Sequence, residues 1–204
     1  MLAVLQLTPH MPDVLKFHRS AFERGVLWPL LTSQLVHLSI AHAALNALAF
    51  MLTLLVWSRW VSLQHQLIGL VGGALGVALL LVFDTQASYY AGLSGALHGL
   101  WSGNAIVLWV VQRPVLRDPL TPPARLIVAA YLHAGSRPSM AVLILAALVA
   151  KLWLQGGDSP QRSLGWLQIP QYHPAHWAGL VGGMLLMSAV LRFLSSTSPR
   201  QQRD

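Results

Sequence analysis

Apolar residues in this chain run in long, nearly unbroken blocks, and polar residues gather in the short gaps between them. Five blocks stand out, at residues 40–57, 66–83, 94–111, 140–154 and 175–194. Each is close to the ~20 residues that a helix needs to cross the hydrocarbon core, the fourth being the shortest. Continuous rather than alternating hydrophobicity predicts helices and not barrel strands. A helix also satisfies its own backbone within each span, which lipid requires. Arg59 closes the first block, Asp84 follows the second, Arg113-Pro114 ends the third and Gly156-Gly157-Asp158 ends the fourth.

The remaining segments carry weaker patterns. Residues 14–39 are amphipathic, contain Trp28-Pro29 and are too polar for a clean span, so they read as an interfacial or re-entrant element. Residues 2–7 look like the last turns of a helix whose beginning is missing, which implies a start site upstream of Met1. Residues 113–138 form a polar loop with Pro114, Pro119, Pro122 and Pro123, and residues 124–133 within it read as a short surface helix. Residues 195–204 are a polar tail, expected to be disordered. No internal repeat or second domain is visible. The division is 1–39 (truncated first span and membrane-embedded loop), 40–194 (helical core) and 195–204 (tail).

Composition fixes the class. Hydrophobic residues make up 55% of the 204 and charged residues 9%, against about 25% charged in soluble domains. The fold class is therefore an all-α integral membrane protein whose surroundings are the lipid bilayer. The net charge of +7 reads as loop charge that orients the spans, not as a nucleic-acid footprint, and no nucleic-acid partner is expected. With no cysteine, a disulfide framework, a thiolate nucleophile and a Cys-based metal site are all excluded. Arg59, Arg113, Arg117, Arg125, Arg137, Arg192, Arg200 and Arg203 fall on one side of the predicted topology. Lys16, Arg19, Arg24, Lys151 and Arg162 fall on the other. The richer side is expected to be cytoplasmic.

This topology brings a set of polar residues to one level. Odd-numbered blocks all begin on the same side. His42 and Asn46, early in the first, therefore share a depth with Ser94 at the start of the third and His176 at the start of the fifth, near the non-cytoplasmic face. Ser94 lies in Gly92-Leu93-Ser94-Gly95. A serine hydroxyl is a weak nucleophile and needs an adjacent base; His176 is suited to take its proton and return it to a leaving amine. A developing oxyanion needs fixed donors. His42 and Asn46, four apart on one helix face, supply two, and the Ser94 N–H at a helix start supplies a third. Gly95, Gly99 and Gly103 recur every four residues after Ser94, as do Gly179 and Gly183 after His176. Such spacing lets membrane helices approach closely and would bring His176 to Ser94. The arrangement is a dyad: neither Asp84 nor Asp158 lies on a face that reaches the histidine. His173 competes with His176 as base, but it precedes Pro174 and is expected in the loop, while His176 carries the glycine spacing.

These residues resemble the rhomboid intramembrane serine proteases. The resemblance rests on Gly92-Leu93-Ser94-Gly95, on His37, His42 and Asn46 upstream, and on His176, Gly179 and Gly183 downstream. It covers about residues 28–194. It implies a rhomboid-like helical bundle with a six-span core, of which five spans are clear here and the first is truncated. It implies Ser94 as nucleophile, His176 as base and His42 and Asn46 as oxyanion-hole donors, with His37 in a supporting, structural place. Trp28 fits the first loop of rhomboids, although Pro29 stands where many have Arg. Many rhomboids carry Tyr four residues after the serine, stacked under the base. Here the residue is His98, read as a packing replacement for that Tyr and not as a direct chemical participant. That variant and the short chain are similar to the rhombosortase branch, which implies a membrane-anchored substrate with a C-terminal Gly-Gly, an apolar span and a basic tail. No metal, nucleotide or other cofactor is implied. The size and simple architecture point to a bacterial inner membrane with the site on the periplasmic side.

Two other readings compete. One is an inactive rhomboid-like protein that binds client proteins, against which the intact Ser, His and Asn set argues. The other is a bis-histidine haem or metal protein built from His37, His42, His98, His173 and His176, which leaves Ser94 and its glycines unexplained.

Overall fold

The computed structural model describes residues 10–110, 136–155, 161–163 and 170–197. The segments expected at residues 2–7, 124–133 and 156–158 lie outside the described residues, as do the last residues of the polar tail. The described chain is mostly helical. Three helices are long and apolar enough to cross a membrane: Ile40–Trp57, Leu63–Phe83 and His173–Thr197.

The first 30 described residues form no span. They fold into short pieces: α1 (Met11–Leu15), β1 (Phe17–His18), α2 (Arg19–Glu23), α3 (Pro29–Thr32) and a single 3-10 turn at Ser33–Leu35. The amphipathic pattern read there is realised at both faces. Leu27, Trp28 and Leu31 are exposed, while Phe17 is fully buried against Val77, Leu81, Tyr90, Tyr172 and Ala175. β1 pairs antiparallel with β2 (Tyr89–Tyr90), Phe17 facing Tyr90. This segment therefore caps one end of the bundle.

The long helices follow. α4 (Ile40–Trp57) starts at Ser39, whose side chain accepts the His42 N–H, as an N-cap serine does for an otherwise unpaired donor. α5 (Leu63–Phe83) starts three residues before the expected position because Ser62 caps it in the same way. α6 (Ser94–Val110) is followed by α7 (Ser136–Gln155), the short hairpin β3 (Gln161–Ser163) and β4 (Pro170–Tyr172), and α8 (His173–Thr197). The tail expected from residue 195 instead stays helical to Thr197, with the Ser195 and Ser196 hydroxyls donating back to the carbonyls of Arg192 and Phe193.

α6 is the central element. It has 17 residues and is wrapped by α5, α8 and α7. A helix surrounded by protein need not be apolar on every face, which is why Ser94, His98, Ser102 and Asn104 are tolerated there. The packing of α5, α6 and α8 depends on glycine. A methyl built on Gly73 would lie 2.7 Å from the Ala96 carbonyl oxygen and 2.9 Å from Gly99 Cα, and one on Gly95 would lie 2.9 Å from the Ala175 oxygen. Only backbones lacking a Cβ pack this closely. Polar links add to the apolar contacts: Ser102 Oγ donates to Leu180 O across α6 and α8 (2.7 Å), and Trp101 Nε1 donates to Thr53 Oγ1 across α6 and α4 (3.0 Å). α4 and α7 flank α6, and a cavity of about 630 Å³ lies between them.

Candidate active site

The loop that presents Ser94 is held from three sides. Tyr90 Oη donates to the Gly92 carbonyl (2.9 Å), the Gly92 N–H donates to Ser33 O (2.9 Å), and the Leu93 N–H donates to His37 Nε2 (3.4 Å). Gly92 sits at φ 130°, a conformation that residues with a Cβ rarely adopt. A methyl there would also lie 2.8 Å from His42 Cε1. Gly92 thus turns the chain into α6 and lets the His42 ring lie against the turn. Burial keeps the Tyr90 phenol protonated, well above its ordinary range, so it remains a donor. Burial, and secondly the neighbouring His42, hold the His37 imidazole down to about 4. It is therefore neutral near pH 7 and keeps the lone pair that accepts the Leu93 N–H.

Ser94, on the first turn of α6, lies partly open to the cavity. His176, on the first turn of α8 and buried, sets its Nε2 3.0 Å from Ser94 Oγ. The His98 ring stacks on the His176 ring at a centroid distance of 4.5 Å and an interplanar angle of 21°. His42 and Asn46, both buried on α4, line the same cavity as Ser94, His98 and His176. Asn46 Nδ2 donates one proton to the His42 carbonyl (3.2 Å), which leaves its second N–H. His37 does not line the cavity; it lies behind it, edge-on to His42 at 5.0 Å. The start of α8 is fixed by Tyr172, whose hydroxyl donates to Asp84 at the end of α5. Arg19 braces that corner, with Nη2 donating to the carbonyls of Leu81 and Asp84 (2.6 Å each). Among the described residues His176 Nδ1 has no hydrogen-bond partner, so no carboxylate completes a triad there.

The residues singled out in the sequence thus come together. The family model of the rhomboid domain matches residues 24–193, most of the chain. The chain belongs to the rhomboid family. No curated protein and no solved structure matches it. Rhomboids are intramembrane serine proteases and inactive relatives of them, and the protease members act on membrane proteins within the bilayer. The fold is the all-α membrane bundle the sequence predicts.

Two placements differ from expectation. His173 is not in a loop. It opens α8, is buried, and meets His176 edge-on at 5.7 Å; Pro174 is compatible with the first turn of a helix, where its missing N–H costs nothing. Lys151, inside the block read at 140–154 and weighed there only as a charge that orients the spans, lines the cavity from α7. Other contributors to the rhomboid site went unread. The α5 glycines Gly69, Gly73 and Gly76 carry near-identical spacing to those of α6 and were open to the same argument. Ser33 and the Asp84–Tyr172 pair carry no local signal, because each acts through a partner distant in sequence. The histidines proposed as haem ligands have other engagements: His98 uses both ring nitrogens and His176 faces Ser94.

Proposed function

We propose that this rhomboid is an intramembrane serine endopeptidase that hydrolyses one peptide bond of a membrane-anchored protein near the outer leaflet. The observation that carries the reading is the 3.0 Å approach of His176 Nε2 to Ser94 Oγ at the floor of a cavity shared with His42 and Asn46. Ser94 Oγ attacks the scissile carbonyl carbon while its proton passes to His176 Nε2. The negative charge that develops on the carbonyl oxygen is met by the side chains of His42 and Asn46 and by the Ser94 N–H. His176 returns the proton to the leaving amine, and water then cleaves the acyl-enzyme by the same route. The His98 ring beneath His176 limits rotation of the base.

The charge distribution assigns the end of the bundle that carries Ser94 and His176 to the periplasmic side of a bacterial inner membrane, the side from which water would reach Ser94. A helical span shields its own peptide bonds, so substrates carry helix-weakening residues such as Gly near the cut. The likeness of Gly92-Leu93-Ser94-Gly95-Ala96-Leu97-His98-Gly99 to rhombosortases supports a C-terminal Gly-Gly signal as the substrate class.

A fluorophosphonate probe on protein purified in detergent tests the reading. Wild type labels, Ser94→Ala does not, and His176→Ala labels at least about 100-fold more slowly. Equal silence in all three counts against this reading and favours the inactive, client-binding alternative.

A further inference from the structure

Lys151 is an unusual residue where it stands. Ionisable side chains in membrane helices are costly and mark functional places. Lys151 lies one turn from the end of α7, where the helix dipole favours a cation. Its Nζ is 3.0 Å from His98 Nε2, the one hydrogen bond it makes among the described residues. The other ring nitrogen, His98 Nδ1, lies 2.7 Å from the Ser94 carbonyl oxygen. A carbonyl only accepts, so Nδ1 carries the proton. An ammonium only donates, so Nε2 is the acceptor. The two contacts together select one tautomer of a neutral ring and pin it at both ends.

The reason follows from the ring's chemistry. A phenyl ring stacked beneath His176 would need only packing. An imidazole that is 8% exposed needs partners for both nitrogens, because an unpaired buried polar atom is costly. Residue 98 finds the first partner in its own helix turn and the second 53 positions away on α7. The plane of the pinned ring is then imposed on His176 by the 4.5 Å stack, and His176 Nε2 faces Ser94 Oγ.

We infer that Lys151 is a positioning residue: by donating to His98 Nε2 it fixes the ring on which His176 rests, and so holds the base in register with Ser94. This rests on the proteolytic reading of Ser94 and His176. It makes α7, which lies against the central helix α6, part of the apparatus that orients the dyad.

Two readouts on the full chain in detergent test it. The first is the rate of fluorophosphonate labelling in Lys151→Met, Lys151→Gln and His98→Phe, and in Lys151→Met combined with His98→Phe. Met keeps the unbranched apolar stem and loses the donor, so labelling slows by about tenfold. Gln keeps a donor and recovers most of the rate. In the His98→Phe background Lys151→Met adds nothing, since the coupling partner is gone. A Lys151→Met rate equal to wild type, or an equal loss with Phe at position 98, overturns the inference. The second readout needs no activity. In 15N-histidine spectra the unprotonated Nε2 signal of His98 moves when Lys151 becomes Met, and an unmoved signal overturns the inference. Silence of every variant towards the probe, with a moved Nε2 signal, removes the proteolytic reading and leaves the Lys151–His98 contact established.

Discussion

His37 shows how one buried side chain ties stability to pH. It is 2% exposed, and its Nε2 accepts the N–H of Leu93, directly before Ser94. The unfolded chain takes up a proton on this ring around 6.5, the folded chain only near 4. Between those values the unfolded state binds more protons, so stability falls as pH falls, by at most about 1.4 kcal/mol per pH unit for this one group. Thermal unfolding in detergent is expected to show a lower midpoint at pH 4.5 than at pH 7, with a smaller difference in His37→Gln, whose amide oxygen still accepts. An unchanged difference in His37→Gln would assign the effect to other histidines. At the same scale, the nucleophile's loop was legible in the sequence as Gly-x-Ser-Gly. That Gly92 is needed both for its φ and for the room it leaves His42 was not legible, because His42 lies 50 residues upstream.

At the scale of elements, glycine sets the spacing of α5, α6 and α8. Gly73→Ala is expected to destabilise by about 1–3 kcal/mol, the usual cost of overpacking, and to slow probe labelling, since pushing α5 from α6 displaces the first turn that bears Ser94. Leu79→Ala on the same helix removes a side chain that is 61% exposed and should change neither. Thermal midpoints and labelling rates of the two variants side by side check this; equal effects would show that α5 contributes apolar bulk and not close approach. The glycine pattern of α6 and α8 was readable as a helix contact. The third helix of the cluster was not read, although the spacing of Gly69, Gly73 and Gly76 offered the signal.

At the scale of the whole molecule, the site end is closed by residues from distant parts of the chain. Arg19, Asp84 and Tyr172 join the N-terminal segment, the end of α5 and the approach to α8. If this end faces the periplasm, as the arginine distribution predicts, the native absence of cysteine permits a direct check. Gln86→Cys, exposed at the site end, should react with a membrane-impermeant maleimide in intact cells. Ser58→Cys, exposed at the far end of α4, should react only after permeabilisation. The reverse pattern would invert the topology and put the site on the cytoplasmic side.

The sequence alone determined the membrane class and the helical fold, and it picked out His42, Asn46, Ser94 and His176, which line one cavity. These follow from local facts: block length, continuity of hydrophobicity, and spacing along a single helix. It did not determine which helices touch. Which face of α7 turns inward decided that Lys151 meets His98. The start of α8 decided that His173 is buried beside His176. The corner at Asp84 decided that a carboxylate steadies the helix that bears the base and not the base itself. Each depends on how one helix is rotated against another, a property set by the summed packing of the bundle that no window of local sequence contains.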